Sequence, residues 1–426
     1  MLKISLLLQK IIPMKNRLVS NTILEKNASR FGRILVITGT RQTGKTTLVK
    51  TLFPKYSYIS IEDPITVEQY KILTASQWES YYPNAIIDEI QKEPQLIESI
   101  KAVYDQFSNS EYLILGSSQI MLLKKIRESL AGRCQIIEMF PLTLPELLTN
   151  SWTDKVEFSF FQKLILGLET ESLPFRLDVD HAKKIKVFDY YLKFGGYPAL
   201  SDDNISENER YDWLKNYVRT YLERDIRDLA ELHNLEPFAK TQKLMAINTG
   251  NLLNNSKIAV EAGVTSKTVQ RFIEYMNLSY QVLVLNPWSR NKKKRLVKSP
   301  KVHIMDVGVM RAILQKRGEL TGHEFESAIV TEIYKQIKTA NIEAQIYQLR
   351  TSDGREVDLL IETEHGYLAI EIKKSSTVRS VDAKHLRNLE NILDKPILHK
   401  IVLSNDLNQI ELGNGIIGIP AVKFLT

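Results

Sequence analysis

The chain has 426 residues and a mass of 49.0 kDa, enough for two to four domains of about 100–200 residues. Hydrophobic residues make up 43% and charged residues 25%, a globular balance that excludes a fibrous or low-complexity protein. The single cysteine, Cys134, excludes an internal disulfide and a cysteine-based zinc cluster, and it predicts a reducing, cytoplasmic location. The net charge of +7 permits a polyanionic partner without demanding one.

The N-terminal residues are not predicted to form a membrane segment or a signal peptide. No stretch of the chain reaches the roughly 18–20 apolar residues that cross a bilayer, so no membrane partner is predicted. The apolar stretch at 4–12 is interrupted by Gln9 and Lys10, and no small-residue cleavage site follows it. We interpret residues 1–16 as an N-terminal extension, either a short leading helix or sequence upstream of a natural start at Met14.

Residues 17–148 show the pattern of an α/β domain. Three short apolar runs at 34–37, 85–87 and 113–115 do not alternate with polar residues, which is typical of strands buried on both faces of a parallel sheet. Apolar residues recur with helical spacing between Pro94 and Phe107. We therefore predict a parallel sheet with helices on its faces.

A phosphate-binding loop follows the first predicted strand. Residues 39–46 read GTRQTGKT and fit G-x-x-x-x-G-K-[ST] at every fixed position, ahead of a predicted helix. Its glycines let backbone N–H groups converge on phosphate oxygens. Lys45 can bridge the β- and γ-phosphates, and the Thr46 hydroxyl can ligate Mg²⁺, so ATP and Mg²⁺ are the predicted cofactors. The predicted nucleotide-binding residues are Gly39, Thr40, Arg41, Gln42, Thr43, Gly44, Lys45, Thr46 and Thr47.

Two carboxylates follow the second predicted strand, about 40 residues after the loop. We predict that Asp88 helps to hold Mg²⁺ and that Glu89 is the general base for the attacking water. A small-molecule kinase, the other class with such a loop, would leave Glu89 and the second half of the chain without a role.

Two further positions are predicted to complete this site. The third strand ends in Leu-Gly-Ser-Ser, where Ser117, or as second choice Ser118, could orient water against the γ-phosphate. Arg133 could stabilise the transition state in its own chain or, in a homo-oligomer, in a neighbouring chain. An arginine of the helix around Arg219 to Arg227 is the alternative for this role.

The motifs GTRQTGKTT, IIDEIQ, LGSSQ, ESLAGR and PLTLPEL resemble those of one family. It comprises prokaryotic AAA-type ATPases in which a C-terminal domain of unknown function with a restriction-endonuclease-like fold follows the ATPase domain. GGYPAL, YLERDI and KVHIMDVGVM resemble later segments of that family, and the resemblance runs from about residue 17 to 403. It implies Walker-type roles for Lys45, Thr46, Asp88 and Glu89, and a sensor role for Ser117.

The middle of the chain is predicted to be helical. Residues 149–240 are polar and aromatic, and we interpret them as a helical lid or linker. Residues 241–306 resemble a winged helix: two helices around Gly263, two strands, and a basic run from Arg290 to Lys298 between the strands. Lys267, Gln270 and Arg271 should face outward from the second helix and could contact DNA. Winged helices also bind proteins, so a protein partner is the alternative.

Residues 319–426 carry a constellation of carboxylates and a lysine. A helix at 324–338 carries Glu326, and predicted strands at 345–349, 356–361 (with Asp358) and 367–373 (with Glu371 and Lys373) follow it in an α-β-β-β-α order. The last helix is predicted at 382–391 and a further strand at 399–403. The arrangement resembles the PD-(D/E)XK nucleases, in which Asp358, Glu371 and Glu326 would hold a divalent metal and Lys373 would act on water or phosphate. In the competing interpretation, the fold is nuclease-like but binds a partner, and the acids and lysine form salt bridges.

The predicted fold is therefore a P-loop, AAA-type α/β core, a helical segment, a winged helix and a restriction-endonuclease-like α/β domain. Two functions follow from it. The first is a Mg²⁺-dependent ATPase whose nucleotide state controls a nucleic-acid-directed, nuclease-like module. The second is a regulatory ATPase switch whose C-terminal half binds proteins and cuts nothing.

Overall fold

The computed structural model describes residues 14–116, 126, 128–168, 180–230, 234–290, 299–351 and 354–426, without the side chains of 221–230. The predictions for the apolar stretch at 4–12, for Ser117 and Ser118, and for residues 291–298 of the basic run lie outside the described residues. Within these residues, no helix is long and apolar enough to cross a membrane.

The N-terminal domain is built on a five-stranded parallel sheet in the order β2-β3-β4-β1-β5. Its strands are β1 (Ile34–Gly39), β2 (Ser57–Ser60), β3 (Asn84–Asp88), β4 (Glu111–Leu115) and β5 (Gln135–Met139). The three predicted strands are confirmed as β1, β3 and β4. The two edge strands were not predicted, because they contain exposed and polar residues instead of an apolar run.

Helices cover both faces of this sheet. They are α1 (Val19–Asn27), α2 (Lys45–Leu52), α3 (Pro64–Lys71), α4 (Ala75–Tyr81) and α5 (Leu96–Gln106). The helix predicted between Pro94 and Phe107 is confirmed as α5, which buries its apolar face against the sheet. Ile34 and Val36 of β1 point into this cluster, whereas Leu35 and Ile37 pack with α1 and α2 on the other face.

The middle of the chain is helical, as predicted. Its helices are α6 (Leu144–Leu147), α7 (Phe160–Ile165), α8 (His181–Phe194), α9 (Glu207–Ala230) and α10 (Glu236–Ile247). Helix α10 runs across the boundary predicted between residues 240 and 241. Its Phe238 packs edge to face on Phe272, with ring centroids 5.2 Å apart, so α10 belongs with the helices that follow it.

The predicted helix, glycine turn and helix are present as α11 (Asn255–Ala262), Gly263 and α12 (Ser266–Leu278). Gly263 has φ 69 and ends α11 in the left-handed conformation that glycine adopts readily. Strands β6 (Val282–Leu285) and β7 (Lys301–Ile304) then pair antiparallel. The element order agrees with the winged-helix interpretation, which stays a prediction.

The C-terminal domain has a mixed six-stranded sheet in the order β12-β13-β11-β10-β9-β8. Two helices precede it, α13 (Val307–Leu314) and α14 (Gly322–Thr339), and α15 (Ala421–Leu425) ends the chain. The strands are β8 (Gln345–Arg350), β9 (Glu356–Glu362), β10 (Tyr367–Lys373), β11 (Ile397–Ser404), β12 (Ile410–Glu411) and β13 (Ile416–Pro420). Helix α14 and the strands β8 to β11 were predicted with nearly these bounds.

One predicted element of this domain is wrong. A helix was expected at 382–391, but the structure has two short 3-10 segments, Lys384–Leu386 and Leu389–Asn391. Between them Asn388 has φ 55, a left-handed conformation that interrupts a helix. Leu386 and Leu389 are fully buried, so packing against the sheet takes precedence over helix continuity.

A single hydrophobic cluster connects the later parts of the chain. It extends from Phe140, just after the last strand of the N-terminal sheet, through α8, α10 and α12 to Phe424 in α15. Helix α14 contributes Phe325, Ile329 and Ile333 to it. The N-terminal domain and the C-terminal domain are therefore joined through shared apolar side chains.

Candidate functional site

The phosphate loop connects β1 to α2. Gly39 has φ 138 and Gly44 has φ 87, both in the region that glycine favours, and Gly44 is the N-cap of α2. The Lys45 ammonium lies inside the loop, 3.1 Å from the carbonyl oxygen of Gly39 and 2.7 Å from that of Thr40. The Thr43 hydroxyl also donates to the Thr40 carbonyl, at 2.8 Å. The loop thus places a cation and a helix N-terminus at one point, which favours an anionic phosphate.

The predicted Mg²⁺ ligands lie side by side. The Thr46 hydroxyl donates to Asp88 Oδ2 at 2.7 Å, although 42 residues separate the two. The Tyr58 hydroxyl donates to the same oxygen at 2.9 Å, and the Glu89 N–H donates to Asp88 Oδ1 at 3.0 Å. In phosphate-binding sites, Mg²⁺ is coordinated by hydroxyl and carboxylate oxygens of the protein together with phosphate oxygens. Thr46 and Asp88 therefore fit this metal.

Tyr58 was not predicted and lies on the edge strand β2. Burial, together with the negative charge of Asp88, raises the pKa of Tyr58 to about 12. The phenol therefore keeps its proton at neutral pH and acts as a donor to Asp88. Nothing in the sequence motif indicates this residue, because its position depends on the pairing of β2 with β3.

Glu89 has φ 57, a left-handed conformation that is uncommon outside glycine and asparagine. It directly follows β3, and its carboxylate accepts a hydrogen bond from the Gln91 side chain. The unusual backbone conformation and this hydrogen bond fix the carboxylate at the carboxyl edge of the sheet, on the same side as Thr46.

Arg133 is not at this site. Its guanidinium forms two hydrogen bonds with Asp105, at 2.7 and 3.2 Å. Arg133 precedes β5 and Asp105 lies near the end of α5, so the pair lies at the amino edge of the sheet. The phosphate loop lies at the carboxyl edge. Arg133 therefore does not contact the phosphate loop of its own chain in this structure, and its predicted role, in its own or a neighbouring chain, stays a prediction.

A cavity of about 240 Å³ adjoins the phosphate loop. Its largely apolar wall comes from four separate parts of the chain: the segment before α1, the phosphate loop with the start of α2, the turn after β5, and the turn after α8. The lining residues are Met14, Lys15, Arg17, Gln42, Thr43, Gly44, Thr47, Leu48, Met139, Leu142, Pro198, Ala199 and Ser201. An apolar cavity of this size beside a phosphate site can accept the base of a nucleotide.

The GGYPAL segment reaches this cavity because two glycines let it pack closely. A Cβ at Gly196 would overlap the Leu142 carbonyl, and the Leu142 N–H donates to the Gly196 carbonyl at 2.6 Å. The Gly196 N–H donates to Asp306 Oδ2 at 2.9 Å. Asp306 Oδ1 accepts the N–H groups of Gly308 and Val309, so the fully buried Asp306 joins the GGYPAL and KVHIMDVGVM segments.

Arg17 was also not predicted, and it supports the loop from outside. Its guanidinium donates to the Thr43 carbonyl at 3.0 Å and to the Phe140 carbonyl at 2.6 Å, and it pairs with Glu146 at 3.2 Å. Glu146 is fully buried and also accepts the N–H groups of Leu18 and Thr143. The PLTLPEL segment is thereby connected to the phosphate loop.

Helix α14 continues this polar contact into the C-terminal domain. Glu332 accepts the N–H of Leu144, the first residue of α6, at 2.7 Å. Lys335 pairs with Glu332 at 2.9 Å and donates to the Tyr191 hydroxyl at 3.1 Å. Glu332 and Lys335 are both fully buried. Buried charges of this kind are kept only when paired and hydrogen bonded.

The predicted C-terminal residues do come together, but a further lysine lies among them. Lys301 of β7 places its ammonium 2.8 Å from Glu326, 2.9 Å from Glu356 and 3.5 Å from Asp358. Burial alone would lower the pKa of Lys301, but the negative charges of Glu326 and Asp358 outweigh it and raise the pKa. Lys301 is therefore a buried ammonium ion.

The remaining predicted pair is separate from Lys301. Lys373 binds Glu371 Oε1 at 2.6 Å, and the Ile372 N–H between them donates to Asp358 Oδ2 at 2.9 Å. Burial and the charge of Asp358 raise the pKa of Glu371 to about 8. Burial and the charge of Glu326 raise the pKa of Asp358 to about 6.

A divalent metal does not fit the C-terminal residues as they are arranged. Within the described parts of the chain, no three His, Cys, Asp or Glu side chains are placed so that they could hold a metal ion. The acids instead satisfy lysine ammonium groups. The prediction of metal binding by Asp358, Glu371 and Glu326 therefore has no support in the structure, and the salt-bridge interpretation agrees with it.

The outward face of α12 agrees with its predicted exposure. Lys267, Gln270 and Arg271 are exposed, whereas Val269 and Phe272 are buried against α10 and α11. Contact of this face with DNA stays a prediction.

Three family models match the chain. Residues 32–148 match an AAA domain. Residues 185–320 match a domain of unknown function, DUF8612, and residues 321–424 match another, DUF4143. The match over 185–320 spans both the helical segment and the predicted winged helix, as α10 does in the structure.

Similar sequences are found in bacteria and archaea. An uncharacterized protein of Mycobacterium tuberculosis, Rv2008c, is 23% identical over 402 residues, which cover 92% of this chain and 81% of that protein. An uncharacterized protein of Methanocaldococcus jannaschii, MJ1544, is 24% identical over 438 residues, covering 95% of this chain and 92% of that protein.

Two solved structures are similar at low TM-score. The Walker-type ATPase PABY2304 of Pyrococcus abyssi has a TM-score of 0.44 and 14% identity, covering 70% of this chain and 94% of that one. Domain III of the replication initiation protein DnaA of Thermotoga maritima has a TM-score of 0.25 and 14% identity, covering 46% of this chain and 90% of that one. From the match to the AAA domain, together with the loop geometry, we conclude that residues 32–148 form an AAA-type ATPase domain.

Proposed function

We propose that the protein is a Mg²⁺-dependent ATPase whose nucleotide state is transmitted to its C-terminal domain. The contact of Thr46 with Asp88 is the observation that carries the first part, because it joins the loop motif and the carboxylate motif at 2.7 Å. The same edge of the sheet holds Lys45 and Glu89, a cation for the phosphates and a base for water.

The residues have separable roles in this proposal. The backbone N–H groups of the loop and Lys45 bind the phosphates, and the cavity lined by Met139, Leu142 and Pro198 takes the base. Thr46 and Asp88 would hold Mg²⁺, which supplies positive charge to the β- and γ-phosphate oxygens. Glu89 orients the attacking water and accepts its proton.

Phosphate release and nucleotide binding by the full chain test this proposal. Lys45→Ala should lose both ATP binding and turnover, because the cation for the phosphates is removed. Glu89→Gln should bind ATP with unchanged affinity and lose at least about 100-fold in turnover, since the water loses its base. Glu25→Gln, on the exposed surface of α1, is the matched control and should change neither. Turnover that survives in Glu89→Gln would contradict the assignment of the base.

The transmission of nucleotide state is supported by a continuous set of buried polar contacts. Arg17 binds the Thr43 carbonyl in the phosphate loop and pairs with Glu146. Glu146 lies on α6, whose first N–H donates to Glu332 of α14. The same helix carries Glu326 in the C-terminal acid cluster, so a shift of the loop on binding nucleotide has a physical path to that cluster.

For the C-terminal domain, the ion pairs of Lys301 and Lys373 favour a module that binds a partner and cuts nothing. A metal-dependent DNA cleavage assay on wild type and Asp358→Ala, with and without ATP, tests this. We expect no cleavage of single- or double-stranded DNA with Mg²⁺ or Mn²⁺. Cleavage that is lost in Asp358→Ala would establish the nuclease-like function instead.

A further inference from the structure

The acid cluster of the C-terminal domain is centred on one atom. Lys301 Nζ lies within 3.5 Å of oxygens from Glu326, Glu356 and Asp358. These three acids come from α14 and β9, and the lysine comes from β7. An ammonium group has three N–H donors, and each of them has a carboxylate partner here.

Lys301 is outside the region to which the acids belong. It lies 18 residues before the start of the predicted C-terminal domain at 319, on the strand that pairs with β6. Lys301 is only 3% exposed, although lysine is among the residues most often found at the surface. The negative charges of the acids compensate the buried positive charge of Lys301, and the lysine in turn compensates the buried charges of the acids.

The Lys301 ammonium lies at the point where carboxylates from α14 and β9 converge. Carboxylates converge on a metal from several elements, as they do here on Lys301. The two acids that would be shared with a metal, Glu326 and Asp358, are already bound to Nζ. Glu371, the third acid predicted to bind metal, pairs through its Oε1 with Lys373 instead of with Lys301.

We propose that Lys301 takes the place of the divalent cation, so that the acid cluster is a metal-independent cross-link between the β6–β7 hairpin and the C-terminal domain. It follows that Glu326 and Asp358 hold β7 against α14 and β9. The inference does not depend on ATP hydrolysis, and its test contains no nucleotide, so it can fail or succeed independently of the ATPase.

The test counts bound Mn²⁺ by electron paramagnetic resonance on the full chain without nucleotide. The chain carries Asp88→Asn, so that the predicted Mg²⁺ site of the ATPase domain does not contribute. In this background we expect the same Mn²⁺ binding with and without Asp358→Asn. Adding Lys301→Met should gain one Mn²⁺ per chain, and adding Asp358→Asn to that variant should remove it.

Lys395→Met is the matched control. Lys395 pairs with Glu362 of the same β9 strand at 3.1 Å, outside the cluster, and its loss should create no Mn²⁺ site. Mn²⁺ that binds while Lys301 is intact and is lost with Asp358→Asn would overturn the proposal. A Lys301→Met chain with native circular dichroism that binds no additional Mn²⁺ would overturn it as well. If Lys301→Met does not fold, the test rests on Mn²⁺ binding by the chains with Lys301 intact, compared with and without Asp358→Asn.

Discussion

At the scale of single residues, the contact of Tyr58 with Asp88 gives a quantitative prediction. Tyr58→Phe removes the donor to Asp88 Oδ2 and leaves the Thr46 donor in place. Loss of a hydrogen bond to a ligating carboxylate typically weakens metal binding about 10–100-fold. We expect the Mg²⁺ concentration for half-maximal ATP turnover to rise about 10-fold, with nearly unchanged turnover at saturating Mg²⁺.

Tyr81→Phe is the control for this change, because Tyr81 is 61% exposed on α4 and should not affect Mg²⁺ dependence. An unchanged Mg²⁺ dependence in Tyr58→Phe would show that the tyrosine has no part in positioning Asp88.

Arg133 gives a second prediction at this scale. Its guanidinium is paired with Asp105 at the edge of the sheet opposite the phosphate loop. We therefore expect Arg133→Ala to keep ATP turnover within about 2-fold of wild type, because no contact to nucleotide in the same chain is lost. The contrary result would be a fall in turnover of more than about 10-fold at unchanged nucleotide affinity. If turnover per chain also rose with protein concentration, Arg133 would act on the nucleotide of a neighbouring chain.

At the scale of elements, α14 is where the ATPase and C-terminal domains meet, and its buried ion pair predicts a loss of stability. Lys335→Met leaves the Glu332 carboxylate buried without its cation. Removal of one partner of a buried pair costs about 3–5 kcal/mol. We expect a clearly lower midpoint of thermal unfolding, and partial recovery in the double variant Lys335→Met, Glu332→Gln, in which no unpaired charge is left.

Lys338→Met, one turn further along α14, is the matched control. Lys338 is 42% exposed and lies 3.9 Å from Glu138, so its loss should cost less than about 1 kcal/mol. Equal destabilisation in the two single variants would show that the buried pair does not stabilise the domain contact.

At the scale of the whole molecule, Arg17 connects the phosphate loop with α6 and, through Glu332, with α14. ATP should therefore slow hydrogen exchange of the peptide covering 322–339 in wild type. Arg17→Ala removes the contact to the Thr43 carbonyl and to Glu146. We expect this variant to lose the ATP-dependent protection of 322–339 even at ATP concentrations that saturate its loop.

Lys26→Ala, in the last turn of α1, serves as the control for Arg17→Ala and should keep the protection. Protection of 322–339 that persists in Arg17→Ala at saturating ATP would show that the nucleotide state reaches α14 by another route.

Most residues of the candidate ATPase site could be named from the sequence, because the motifs that carry them are local. A loop with the motif of residues 39–46 binds phosphate through consecutive backbone groups and one lysine, so the order of these residues in the chain is sufficient to identify it. Asp88 and Glu89 follow a short apolar strand, and the carboxyl ends of parallel strands meet at one edge of a sheet. The buried strands β1, β3 and β4 were recognisable for the same reason, as uninterrupted apolar runs.

Tertiary structure alone decided the rest. Tyr58, Arg17 and Pro198 reach the candidate nucleotide site from distant segments through strand pairing and close packing, which leave no local pattern in the sequence. Arg133 lies at the amino edge of the sheet, opposite the phosphate loop, because it lies just before the start of β5. Lys301 shows the difference most clearly: a lysine on a short strand carries no signal in the sequence. Only the packing of β7 on α14 and β9 brings its charge to the acids and gives them a partner other than metal.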